Sequence, residues 1–118
     1  MTKPLSLNVA TDFRALVNMD AEAIEAWLDM PESRQVGFTR PGDVESVGRQ
    51  SARAIIRIQR TDEASLTAED LAHMRKVIGF IRRHRAQRPH RDISRSRWRF
   101  SLMNWGHDPL QDDLPLGV

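Results

Sequence analysis

The sequence predicts an all-α fold, a compact bundle of four to five helices in a single domain. Two observations carry this. Apolar residues recur with a period near 3.6 along the chain, and no stretch alternates apolar and polar residues as a half-buried strand would. A residue suited to helix capping also stands ahead of each apolar run. The 118 residues match one domain. A chain of that size buries about two-thirds of its unfolded surface, enough to fold without covalent staples.

Taken in order, residues 1–9 read as a flexible N-terminal segment and 10–110 as the helical domain. Thr11 is expected to cap a short first helix that turns Phe13, Leu16 and Val17 inward. Asp20 is the expected cap of the second, with Met19 placed to staple onto Ile24. Ile24, Trp27 and Leu28 then share one face and read as core, and Pro31 ends or interrupts the helix. Gly37 and Arg40-Pro41-Gly42-Asp43 mark a loop. Ser46 caps a third helix to about Arg60, with Val47, Ile55 and Ile58 inside and a stripe of Arg49, Arg53, Arg57 and Arg60 outside. Thr61 to Ser65 is a polar connection.

The fourth helix has the clearest start. Thr67-Ala68-Glu69-Asp70 is a capping box of the acidic type, and Leu66 can staple onto Leu71. Leu71, Met74, Val77, Ile78 and Ile81 make its buried face, and Arg75, Lys76, Arg82 and Arg83 fall on the opposite side. Pro89 stops it. Ser94 or Ser96 caps a short fifth helix that turns Trp98 and Leu102 inward, and Gly106 ends it. Residues 111–118, with two acids, a proline and a glycine, read as a flexible tail.

Composition narrows the function. With no cysteine, disulfides, thiolate metal sites and cysteine nucleophiles are excluded, and a cytoplasmic location is expected. No apolar run approaches the roughly 20 residues that cross a bilayer, so no membrane partner is expected, and the N-terminal apolar stretch is too short for a secretion signal. No nucleophile elbow, phosphate loop or HExxH helix is present. The carboxylates Glu22, Glu25 and Asp29 have the spacing of a solvated helix face, so the chain reads as a non-enzyme without a cofactor. His73 and His84 share a helix flank but lie about 16 Å apart along its axis, too far to hold one metal. His107 and Asp108 offer only two local ligands and read as turn-fixing groups. The segment Asn104 to Pro109 is either a binding loop or a clasp that docks Trp98 and Trp105 on the bundle, the clasp being favoured.

Charge is distributed unevenly. The first 48 residues carry four basic and eight acidic side chains, whereas Arg75 to Arg99 holds ten Lys/Arg and one acid, Asp92. Sixteen of the eighteen basic residues are arginine, a side chain made for bidentate bonds to phosphate or carboxylate. Arg85, Arg88, Arg91, Arg95, Arg97 and Arg99 extend the basic character around the loop.

Several short motifs recur in the same order in one family. They are Leu16-Val17-Asn18-Met19, Ala26-Trp27-Leu28, Glu32-Ser33, Ser46-Val47-Gly48, His73-Met74-Arg75-Lys76-Val77-Ile78, Arg83-His84, Ala86-Gln87-Arg88-Pro89 and Asn104-Trp105-Gly106-His107-Asp108-Pro109. Through them the chain resembles the bacterial and fungal domain of unknown function 3140 from about Phe13 to Leu110. It departs from that family at Arg49, where histidine is usual, and near Ala52, where glycine is. Some members carry the label DNA-binding protein, so the resemblance implies a DNA partner but no defined activity.

The expected function is non-sequence-specific nucleic-acid binding through Arg75, Lys76, Arg82, Arg83 and Arg88, with contacts to the DNA or RNA backbone rather than to bases. The alternative is a protein–protein interaction or structural module. There the basic half meets an acidic surface, on another protein, on a second copy, or on the acidic half of the same chain.

Overall fold

The caps at Asp20, Ser46, Thr67 and Ser96 all start helices, each side-chain oxygen accepting from a backbone N–H of the first turn. The computed structural model describes residues 5–112. Their elements are α1 (Leu5–Leu16), α2 (Ala21–Leu28), α3 (Pro31–Arg34), α4 (Val47–Gln59), a 3-10 turn (Glu63–Ser65), α5 (Ala68–Arg85), α6 (Arg97–Asn104) and α7 (Pro109–Asp112). No strand occurs among the described residues, and the fold is all-α. The helices outnumber the expected four to five because α3 and α7, four residues each, are too short to show an apolar period.

Three boundaries differ from the sequence reading. Helix α1 begins at Leu5, so Thr11 lies inside it rather than capping it, and residues 5–9 are helical instead of belonging to a loose segment. The cause is an apolar stripe that reaches further back than expected: Val9 and Ala10 are buried with Phe13 and Val17, which gives α1 a full face to lay on α5. Pro31 does not simply terminate α2. It opens α3 at the first helical position, where its missing N–H costs nothing. At the other end, Gln111 and Asp112 belong to α7, and residues 113–118 of the expected tail lie outside the described residues.

Helix α1 packs along α5 and α2 along α4, while α6 touches α2, α3, α4 and α5. The short α6 therefore plugs the middle of the bundle. Ile24, Ile55, Ile81 and Leu102 from four different helices are fully buried, each contributing about 1.5–3 kcal/mol of burial. Trp27 packs on Phe100 with ring centroids 5.5 Å apart. Trp98, expected inside, is only half-buried, because its indole N–H reaches out to the His84 carbonyl, 2.8 Å away, near the end of α5. Leu71 is likewise partly buried, at the edge of the α5 core face.

Gly106 ends α6 with φ +80°. Its N–H donates to Met103 O and the next N–H, of His107, donates back to Leu102 O, each at 3.0 Å. This is a Schellman ending, which only a residue tolerant of positive φ completes without strain.

Candidate nucleic-acid interface

The α4 stripe is largely consumed inside the molecule. Arg53 grips Glu45 with three hydrogen bonds, Arg57 pairs with Asp70 at 2.7 Å, and Arg60 pairs with Glu25. Arg49 does not face solvent as the stripe predicts; it is 5% exposed. One nitrogen of its guanidinium donates to Leu28 O at 2.9 Å and to Ser33 Oγ at 2.7 Å. Leu28 is the last residue of α2, so its carbonyl lacks a helical partner and sits at the negative end of the helix dipole. That location draws the cation inward. Burial lowers the pKa of Arg49, an effect that nearby Glu45 opposes.

The Arg49 bond is one end of a buried chain of polar groups. Ser33 Oγ donates to Asn104 Oδ1 at 2.6 Å, Trp27 Nε1 donates to the same oxygen at 2.7 Å, and Asn104 Nδ2 returns a bond to Ser33 O at 3.1 Å. The network links α2, α3, α4 and α6, and no fully buried side-chain nitrogen or oxygen among the described residues lacks a partner.

The Asn104–Pro109 segment is a clasp in this structure. Asn18 and Asp108 exchange two hydrogen bonds, Nδ2 to Asp108 O at 3.0 Å and Asp108 N to Oδ1 at 2.7 Å. Met19 N donates to Gly106 O. His107, 1% exposed, sets its Nδ1 2.6 Å from Leu16 O and its Nε2 2.9 Å from Asp112 Oδ2. Arg99 holds Asp108 in a two-pronged pair, both contacts 3.0 Å, and donates to Ser94 O. It is therefore a structural arginine rather than part of a phosphate-tracking loop. Burial raises the Asp108 pKa, but Arg99 and the Leu110 N–H outweigh it and leave the pKa lowered.

Other opposite charges also meet. Arg82 lies 3.3 Å from Asp12, Arg95 3.6 Å from Glu32 and Arg85 3.5 Å from Asp112. These are exposed or half-exposed pairs, worth about 0–1 kcal/mol each.

What remains is a smaller basic face. Arg75, Lys76, Arg82 and Arg83 are all exposed along α5. Arg75, Lys76 and Arg83, with Arg91 and Arg97 beyond the helix, make no ion pair among the described residues. Arg88 is exposed after the helix, its guanidinium 5.9 Å from the Trp98 ring centroid. The five residues singled out from the sequence thus all reach the surface, with Arg82 shared by Asp12.

One feature of this face was not legible in the sequence. Behind Lys76 and Arg83 opens a cavity of about 400 Å³ with Phe38, Phe80, His84 and Trp105 among its walls. Four rings stack there: His73 on Trp105, Trp105 on Phe80 and Phe80 on His84, the last two with centroids 4.3 Å apart. Burial, then Lys76, lowers the His73 pKa, and burial, then Arg83, lowers that of His84. Gly48 is the one sequence signal within this site. A Cβ there would stand 3.2 Å from the Trp105 Nε1, so glycine lets the indole approach α4.

Among the described residues no group of three or more His, Asp or Glu is placed to hold a metal ion, and no helix is long and apolar enough to cross a membrane. A family profile described as "Protein of unknown function (DUF3140)" matches residues 12–103. No curated protein matches the chain, and no solved structure does.

Proposed function

The chain belongs to the DUF3140 family, and we propose that it binds the phosphate backbone of nucleic acid without reading base sequence. The observation that supports this is where the cations without an acid partner fall. Once internal pairs among the described residues are assigned, Arg75, Lys76 and Arg83 stand together on the exposed side of α5, continued by Arg91 and Arg97. On a rigid helix Lys76 and Arg83, seven residues apart, share one row and Arg75 stands about 100° to its side, so the three spread positive charge over one exposed face that suits phosphates. Arg82 joins them when a phosphate competes with Asp12. A chain without cysteine suits a reducing compartment, and we place its action in the cytoplasm.

Association through the acidic half of a second copy is less well supported, because Asp12, Glu25, Glu32 and Glu45 already face arginines of the same chain.

The test is a salt titration of binding to a mixed-sequence labelled duplex, followed by fluorescence anisotropy, with an RNA hairpin in parallel. Three to five phosphate contacts give a log–log slope of about −3 to −5 on duplex DNA. Absence of binding at low salt, or affinity indifferent to salt, would overturn the proposal.

A further inference from the structure

The cavity behind Lys76 and Arg83 shares those two cations with the backbone contacts just described but adds an apolar, aromatic chamber to them. Its floor and walls are apolar and aromatic, from Val47, Phe80, Trp105 and the loop residue Phe38. Every formal charge on its rim is positive, Lys76 and Arg83, and no carboxylate lines it. At about 400 Å³ it falls within the range of small-molecule sites, whose pattern is an apolar pocket with a few convergent polar groups.

One buried polar atom of the lining is an unused donor. Of the three tryptophans, Trp27 donates its indole N–H to Asn104 and Trp98 donates to His84 O. Trp105 makes no such bond among the described residues, although the residue is only 5% exposed. Its Nε1 is not sealed in, since no fully buried side-chain nitrogen is left without a partner. It opens instead beside Gly48, a fellow lining residue whose missing Cβ leaves the nitrogen uncovered. An indole N–H only donates, so it calls for an acceptor on the guest. Lys76 and Arg83 likewise only donate.

Phe38 completes the enclosure. It is 68% exposed, one of three large apolar side chains on the surface among the described residues, and it is not left there by a loose loop. Its carbonyl accepts from Val47 N at 2.8 Å, which ties the loop to the first turn of α4. An aromatic ring held at the mouth of an aromatic pocket gains area by closing on a guest.

We propose that this cavity binds a small aromatic carboxylate, its ring against Phe38, Phe80 and Trp105 and its carboxylate held by Lys76 and Arg83. The Trp105 N–H provides the orienting hydrogen bond. The positive rim disfavours an aromatic cation, and a neutral ring forgoes the charge-assisted bonds.

The test follows the indole N–H resonances of the full chain by two-dimensional ¹H–¹⁵N NMR during titration with 2-naphthoate, 2-naphthamide and 2-naphthylmethylamine. The carboxylate should shift the Trp105 indole signal saturably and leave that of Trp27 in place. The amide, which lacks the charge-assisted bonds, should bind about tenfold more weakly or worse. Phe38→Ala, a change at an exposed side chain, should weaken naphthoate binding several-fold while leaving duplex DNA binding unchanged. The proposal is overturned if the Trp105 signal does not respond to millimolar naphthoate, if amide or amine binds as well as the carboxylate, or if Phe38→Ala binds unchanged. None of these results alters the duplex salt titration, so the two readings fail independently.

Discussion

The indole Nε1 of Trp27 donates to the side-chain oxygen of Asn104 across 2.7 Å, joining residues 77 positions apart in the interior. The same oxygen receives Ser33 Oγ, which in turn receives Arg49. A single carboxamide therefore anchors four helices through polar bonds inside an otherwise apolar core.

Asn104→Leu should be among the most damaging single changes. It fills a similar volume but strands the Trp27 N–H and leaves Ser33 O without its donor. Each buried group left unpaired costs about 1–3 kcal/mol, so we expect a loss of about 3–5 kcal/mol in urea unfolding. A loss below about 1 kcal/mol, the worth of one ordinary hydrogen bond, would mean that the network relaxes around the change.

Two neighbouring arginines on α4 should separate sharply. Arg49→Ala removes the partner of Leu28 O and Ser33 Oγ in a buried site and should cost about 2–4 kcal/mol. Arg53→Ala breaks an exposed pair with Glu45 and should cost under about 1 kcal/mol. Thermal unfolding of the two variants side by side gives the comparison, and equal shifts would refute the buried role of Arg49.

At Gly106 an alanine meets two penalties. The φ of +80° disfavours any Cβ, and one built there would lie 2.8 Å from Val17 Cγ1. About 1 kcal/mol for the backbone adds to the packing conflict of an overfilled core, about 1–3 kcal/mol. The Gly106→Ala variant should lose about 2–4 kcal/mol by chemical denaturation.

Acid should weaken the start of α5. The bond from Arg57 and the backbone N–H of Thr67 lower the Asp70 pKa to about 2 from an ordinary 3.8. A depressed carboxylate stabilises the fold fully above its unfolded pKa and loses that contribution as pH falls through its folded one. The stability curve should therefore drop between about pH 4 and pH 2, and Asp70→Asn should flatten that drop. His73 and His84 act earlier. With folded pKa values below the usual 6.5, the unfolded chain takes up their protons first, so stability also declines as pH falls below about 6.5.

Charge reversal on the outer face of α5 tests the functional proposal without disturbing the core. Arg82→Glu with Arg83→Glu should cut duplex affinity at least about tenfold at low salt and flatten the salt slope by about 2. The melting temperature should move little, because the Arg82–Asp12 pair is exposed on both sides. Unchanged binding in this double variant would remove α5 from the interface.

The all-α fold was legible because its determinants are local. The caps at Asp20, Ser46, Thr67 and Ser96 act on N–H groups two or three residues away, and the glycine ending of α6 needs only the turn before it. The buried face of α5 followed from its period alone, apart from Leu71 at its edge. Exposure of Arg75, Lys76, Arg82 and Arg83 followed in the same way. Periodicity failed at Arg49, which shares its stripe with Arg53 and Arg57 yet lies inside. Nothing within α4 distinguishes it; the difference is the free carbonyl of Leu28, brought there from another helix. The same holds for Arg99, claimed by Asp108, and for Arg82, shared with Asp12. The aromatic cavity joins Phe38, Gly48, Phe80 and Trp105 from four separate segments. Helices and their ends depend on atoms three or four residues apart, so the sequence by itself determined them. Which arginines are spent on carboxylates and which remain for a ligand depends on groups tens of residues away, and only the packing of the helices decided that.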